Sequence, residues 1–240
     1  MTRRCIAWFG ACAFVITGAV GALTAVATPA SASKATDLQA ANAGLLETAD
    51  FPQGWTSTPR DASTDADTEK LAKTIPACAE YRALRATTEK ETHAKSPDFS
   101  LGNSQIDNTV TVFATEKGAT AAMKVFDRPS VVKCINLLFT KVFTTSLKSD
   151  PKTASQISSI KVKVTPANVE TIADATTAYE GTVTITLKDD TTESIGVGIA
   201  AVQTGRGIDV FSYVVDTTTV LQLLPTLVDD SVERLTDALA

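Results

Sequence analysis

The chain has 240 residues, 44% of them hydrophobic, with 22 basic and 27 acidic side chains and a formal net charge of −5. That balance excludes nucleic acid and anionic membrane surfaces as partners, because both reward clustered Lys and Arg. The length suits one domain, large enough to bury on the order of 70% of the surface of its unfolded chain.

Arg3 and Arg4 lead into a tract rich in Ala, Val, Ile and Gly, with no charged residue until Lys34. A basic start followed by an uncharged stretch is the pattern of a secretion signal, and Ala30 and Ala32 supply the small residues a signal peptidase reads. Cleavage is expected between Ala32 and Ser33, giving a signal peptide over 1–32 and a single extracytoplasmic domain over 33–240. The alternative is a retained anchor, since residues 6–28 are long enough to span a bilayer. Either outcome places the domain outside the cytoplasm. Removal of Arg3 and Arg4 shifts the charge from −5 to −7, and removal of Cys5 and Cys12 leaves Cys78 and Cys134. Two such thiols in an oxidising compartment read as one disulfide.

Along the domain, Leu38, Ala41, Leu45 and Leu46 recur at helical spacing over residues 37–47, behind a capping Asp37 or Thr36. Phe51, Pro52, Gly54 and Trp55 end that helix in a turn, and the polar, acidic residues 60–70 read as a mobile loop. A helix over 74–84 carries Cys78 behind Pro76. Residues 89–103 are polar again and hold the lone His93. Ile106, Val110, Val112 and Ala114 then alternate with polar residues, which predicts a half-buried strand. Two helices follow, over 116–127 and onward from a capping Ser130; the second aligns Val131, Cys134, Ile135, Leu138, Phe139 and Val142 on one stripe.

From residue 157 the period switches to two. Four strands joined by short turns at Asp189-Asp190 and Gly205-Arg206-Gly207 form an antiparallel meander to residue 215. A helix over 217–239 closes the chain, broken or kinked at Pro225. The order predicts an α+β fold: an antiparallel sheet of about five strands packed by helices, with a long C-terminal helix.

No catalytic constellation is visible. A serine or cysteine hydrolase needs a base beside its nucleophile, and His93 stands in a solvated tract with no Gly-x-Ser-x-Gly motif to pair with. A transition-metal site needs several His or Cys ligands. Asp61, Asp65, Asp67 and Glu69 are spaced suggestively for calcium, but the glycine of a calcium-binding loop is missing. Gly205-Arg206-Gly207 is too short for a phosphate cradle and leads into a strand, so no cofactor is expected. Trp55, with Phe51, is the candidate wall of a ligand groove, weighed against a ring that caps the core.

The segment 45–55, with Leu45, Leu46, Phe51, Pro52, Gly54 and Trp55, is followed by Cys78 on a helix, a strand, a partner Cys134, a meander and a terminal helix. In this it resembles the secreted sensor-like domains of actinomycetes, the group of the extracellular domain of PknH-type Ser/Thr kinases. The resemblance implies an antiparallel α+β domain of the cell envelope with a cleft for an unidentified extracellular ligand. It departs from the kinase domain in the one disulfide expected where that domain has two, and no attached kinase is expected. The expected function is non-catalytic binding or sensing of a small molecule, lipid or cell-wall component. A secreted lipid carrier, with a dry apolar cavity of several hundred Å³, and an unrecognised hydrolase are the competing expectations.

Overall fold

A computed structural model describes residues 29–216 and 218–240. The expected signal segment lies outside these residues except for its last turn: helix α1 spans Pro29–Ala43 and so runs through Ala32 and Ser33. The remaining elements are β1 (Thr56–Thr58), α2 (Ala62–Lys73), α3 (Ala79–Thr88), β2 (Thr92–Lys95), β3 (Asp98–Leu101), β4 (Ser104–Val112), α4 (Glu116–Phe126), α5 (Pro129–Ser149), α6 (Pro151–Gln156), β5 (Ile157–Pro166), β6 (Ala175–Leu187), β7 (Thr192–Thr204), β8 (Gly207–Val215) and α7 (Thr218–Leu239). One eight-stranded antiparallel sheet runs β1-β3-β4-β8-β7-β6-β5, with β2 also paired to β4. The fold is therefore α+β with a C-terminal meander, but with eight strands rather than about five.

The three additional strands come from tracts whose polarity hid them. β2 and β3 lie end to end along one side of β4, interrupted by Ser96-Pro97, where proline has no N–H for the ladder. At the break the Ser96 hydroxyl oxygen replaces a ladder acceptor, taking the Asn108 N–H at 2.9 Å. His93 therefore belongs to a strand, opposite Thr111 and half-buried, rather than to a solvated loop. Residues 60–70, expected as a mobile loop, fall for the most part in α2, in which Asp67 pairs with Lys70 and Glu69 with Lys73 one turn on.

Register divides the sheet into two faces. Ile106, Asn108 and Val110 of β4 align with Tyr213, Phe211 and Asp209 of β8, and these with Gly198, Ala200 and Val202 of β7. On this first face α1 and α7 pack their small and aliphatic stripes, with Ala40, Ala41, Leu227, Val232 and Leu235 buried. The stripe of α1 differs from expectation: Asp37 lies inside the helix with its carboxylate 2.5 Å from Arg206 Nη2, and Leu38 is 45% exposed. α7 continues through Pro225 without a break.

The opposite face carries α5 over β5–β7, with Ile135, Phe139 and Phe143 packed on Val164, Val183, Ile195 and Val197. α5 has the length and hydropathy of a membrane span, and this packing accounts for its apolar stripe. Its first turn begins at Pro129 with Arg128 at the cap position; Ser130, the expected cap, instead donates its hydroxyl to Glu80. At the outer edge of the sheet, the Asn136 side chain of α5 accepts from Val164 N at 2.7 Å and donates to Val164 O at 2.9 Å. Cys78 and Cys134 are joined, tying the start of α3 to α5.

A buried polar network locks α7 to the sheet. Asn108 Nδ2 donates to Gly44 O and to Asp209 Oδ1, each at 2.9 Å, and Asn108 Oδ1 accepts from Leu46 N at 3.0 Å. Ser231 of α7 lies 2.5 Å from Asp209 Oδ2. Arg234, one turn further, spans Ala43 O, Leu45 O and the Asp50 carboxylate. Hydrogen-bonded groups of this kind specify one arrangement, because leaving any of them unpaired in the interior is costly.

Candidate functional site

Where α7 stops covering the first face, the sheet goes on. The alternation in β5 and β6 that buries Val164, Val183 and Ile185 and half-buries Val162 on the helical side turns Lys163, Thr165, Glu180 and Thr182 outward, where all four are exposed. Register aligns them in two rows across the strands: Lys163, Thr182, Gly196 and Val215, then Thr165, Glu180, Gly198 and Tyr213. With Leu221 of α7, residues of these rows line an open groove of ≈ 410 Å³. That volume falls in the usual range for small-ligand sites, roughly 300–1,000 Å³.

The glycines of β7 make the floor. A side chain at Gly198 would collide with the Tyr213 ring, so the ring of β8 reclines over the glycine of its neighbour strand. Over Gly196, one row away, the Val215 side chain of β8 closes in the same way. Burial and the nearby charge of Glu180 push the Tyr213 phenol up to about 12, so at neutral pH it is a hydrogen-bond donor rather than a phenolate. The groove thus presents an ammonium, a carboxylate, two threonine hydroxyls and a phenol around an aromatic and aliphatic wall. Such a set recognises a polar ligand by hydrogen bonds and supplies one stacking surface.

The two residues singled out in the sequence lie elsewhere. Phe51 is buried, its ring stacked on Phe99 at 4.3 Å and tilted against Trp55 at 4.8 Å. Gly54, at φ 106°, makes the turn that folds Trp55 back onto Phe51. Neither borders the groove. His93 is on β2, across the sheet from β5 and β6, with Nδ1 3.2 Å from Glu91 O. Among the described residues no three His, Cys, Asp or Glu side chains gather as metal ligands. The groove residues carried only a weak sequence signal, the threonines alternating with Val183 and Ile185.

No family model matches the chain, and no curated protein matches it. Among solved structures, the crystal structure of the extracellular domain of PknH from Mycobacterium tuberculosis is similar. The two share 12% identity at a TM-score of 0.41, over 81% of this chain and 96% of that one. A likeness this loose bears on no residue's role.

Proposed function

We propose that the protein is a non-catalytic, extracytoplasmic binding or sensor-like module whose ligand lies in the groove over β5, β6 and β7. The observation that supports this reading is the groove's lining: Lys163, Thr165, Glu180, Thr182 and Tyr213 converge on a glycine floor in a space of ligand size. The chemistry suits a polar small molecule or a glycan or peptide fragment of the cell wall. The Cys78–Cys134 bridge fits an oxidising compartment.

The lipid-carrier reading is less well supported. It calls for a dry cavity of several hundred Å³, whereas the apolar cavity on the helical face of the sheet measures ≈ 40 Å³.

Saturation-transfer NMR with a panel of cell-wall glycan and peptide fragments tests the proposal. Binding by the native protein that is lost in Thr182→Trp, which fills the groove from an exposed strand position, supports it. Binding unaffected by Thr182→Trp, or none from any fragment, overturns it.

A further inference from the structure

The polar side chains of the groove are turned toward its space and away from one another. Lys163, Thr165, Glu180, Thr182 and Tyr213 line it, and none of these five side chains makes a hydrogen bond or ion pair among the described residues. Lys163 and Glu180 carry the information. Register sets Lys163 opposite Thr182 and Glu180 opposite Thr165, so the two opposite charges are diagonal neighbours on one face of β5 and β6. Diagonal Cβ atoms lie roughly 7 Å apart, within reach of a long side chain, yet the ammonium and the carboxylate stay separate. Direct pairing at such exposure gains little, so a ligand that bears both complementary charges can engage both.

The lining changes character along the rows. One row offers an ammonium and a hydroxyl, Lys163 and Thr182; the next offers a carboxylate and a hydroxyl, Glu180 and Thr165. Adjacent rows are about 7 Å apart along the strands, so the ligand's own charges have to sit close together. Across β7 and β8 the surface turns apolar: Val215 and the Tyr213 ring lie over the two glycines, and Leu221, in the early turns of α7, is 39% exposed. An apolar group of the ligand gains by covering that leucine and the ring.

We infer that the groove is selective for an apolar α-amino acid, whose carboxylate and ammonium stand on one carbon. The carboxylate accepts from Lys163 Nζ and the Thr182 hydroxyl, the ammonium donates to the Glu180 carboxylate and the Thr165 hydroxyl, and the side chain lies toward Tyr213 and Leu221. This inference rests on the reading of the groove as the ligand site and names the class of its ligand.

NMR titration of the full chain with leucine at millimolar concentration tests it, against three analogues that each lack one feature: 4-methylpentanoate without the ammonium, 3-methylbutylamine without the carboxylate, and glycine without the side chain. Leucine is expected to bind saturably, and each analogue about fivefold more weakly, the scale of one charge pair in a solvated site. Lys163→Met is expected to abolish the preference for leucine over 3-methylbutylamine while keeping that over 4-methylpentanoate. Glu180→Gln is expected to do the reverse. Both positions are exposed, and a merely structural role would weaken every ligand alike. The inference is overturned if leucine does not bind, if the analogues bind as well as leucine, if either variant weakens all ligands equally, or if leucine binding survives Thr182→Trp. Wall fragments that bind and are lost in Thr182→Trp while leucine fails would sink this inference and leave the groove as the ligand site; failure of both would sink the two together.

Discussion

The ring of Tyr213 occupies the volume that a side chain at position 198 would need, so it can lie flat beside the groove only because β7 carries glycine there. Gly198→Ala is expected to force the ring off the floor and to cost about 1–3 kcal/mol, the usual penalty for overpacking. The double variant Gly198→Ala/Tyr213→Ala removes the collision. In a double-mutant cycle read by urea denaturation, the two changes should couple by more than about 0.5 kcal/mol. Additive losses would show that the ring does not depend on the glycine.

Asp209 should make stability depend on pH. Burial pushes its carboxyl up to about 7, against the downward pull of the Ser231 and Asn108 hydrogen bonds and of Arg234. An unfolded aspartate titrates near roughly 3.9, so between those values the folded chain keeps a proton that the unfolded chain has released. The stabilisation is complete below about pH 4 and is lost as pH rises toward 7, with a slope of up to about 1.4 kcal/mol per pH unit. Asp98, also raised by burial, adds to the slope in the same direction. Carboxyls held low by their hydrogen bonds, such as Asp150 and Asp189, act at more acid pH, where their stabilisation is lost as pH falls. Asp209→Asn keeps the shape and removes the titration. Denaturation of wild type and variant at pH 5 and pH 7.5 should show a flatter dependence in the variant, and an equal slope would exclude Asp209 as its source.

Removing the disulfide should be costly. The bridge spans a sequence separation of 56 residues, and closing a loop of that size is worth about 4 kcal/mol on the chain-entropy model. Cys78→Ala/Cys134→Ala is expected to lower the guanidinium midpoint strongly, and a reductant should then have no further effect on that variant.

The orientation of α1 gives a simple pair of substitutions. Leu38→Lys, on the exposed side, should change stability by no more than about 0.5 kcal/mol. Ala41→Leu, at a position with no accessible surface, should cost about 1–3 kcal/mol through overpacking. Comparable losses from both, measured by thermal denaturation, would place the helix in another rotation.

How far the sequence could be read follows from how local each signal was. The meander was legible because Val183, Ile185, Ile195 and Val197 alternate and because Asp189-Asp190 turns the chain; Asp190 indeed adopts φ 63°. Cys78 and Cys134 were legible from count and compartment. β2 and β3 were not, because Pro97 cuts the partner of β4 into two four-residue pieces, each too short for an alternating period to show. α1 was misoriented because Leu38 looks like core, whereas the close approach of α1 to the sheet is made through Ala40 and Ala41. The groove depends on register, which sets Thr182 beside Gly196 and Glu180 beside Gly198, and no single strand encodes that adjacency.

The outer edge of β5 has a further consequence, for self-association. An unprotected edge strand invites another chain to continue the sheet. Here an incoming strand would meet Val164 with both backbone groups already engaged by Asn136, and Lys161 and Lys163 projecting alongside. Two molecules approaching edge to edge would also crowd ammonium against ammonium. The lysine that borders the groove thereby helps keep each copy from templating fibrils with the next.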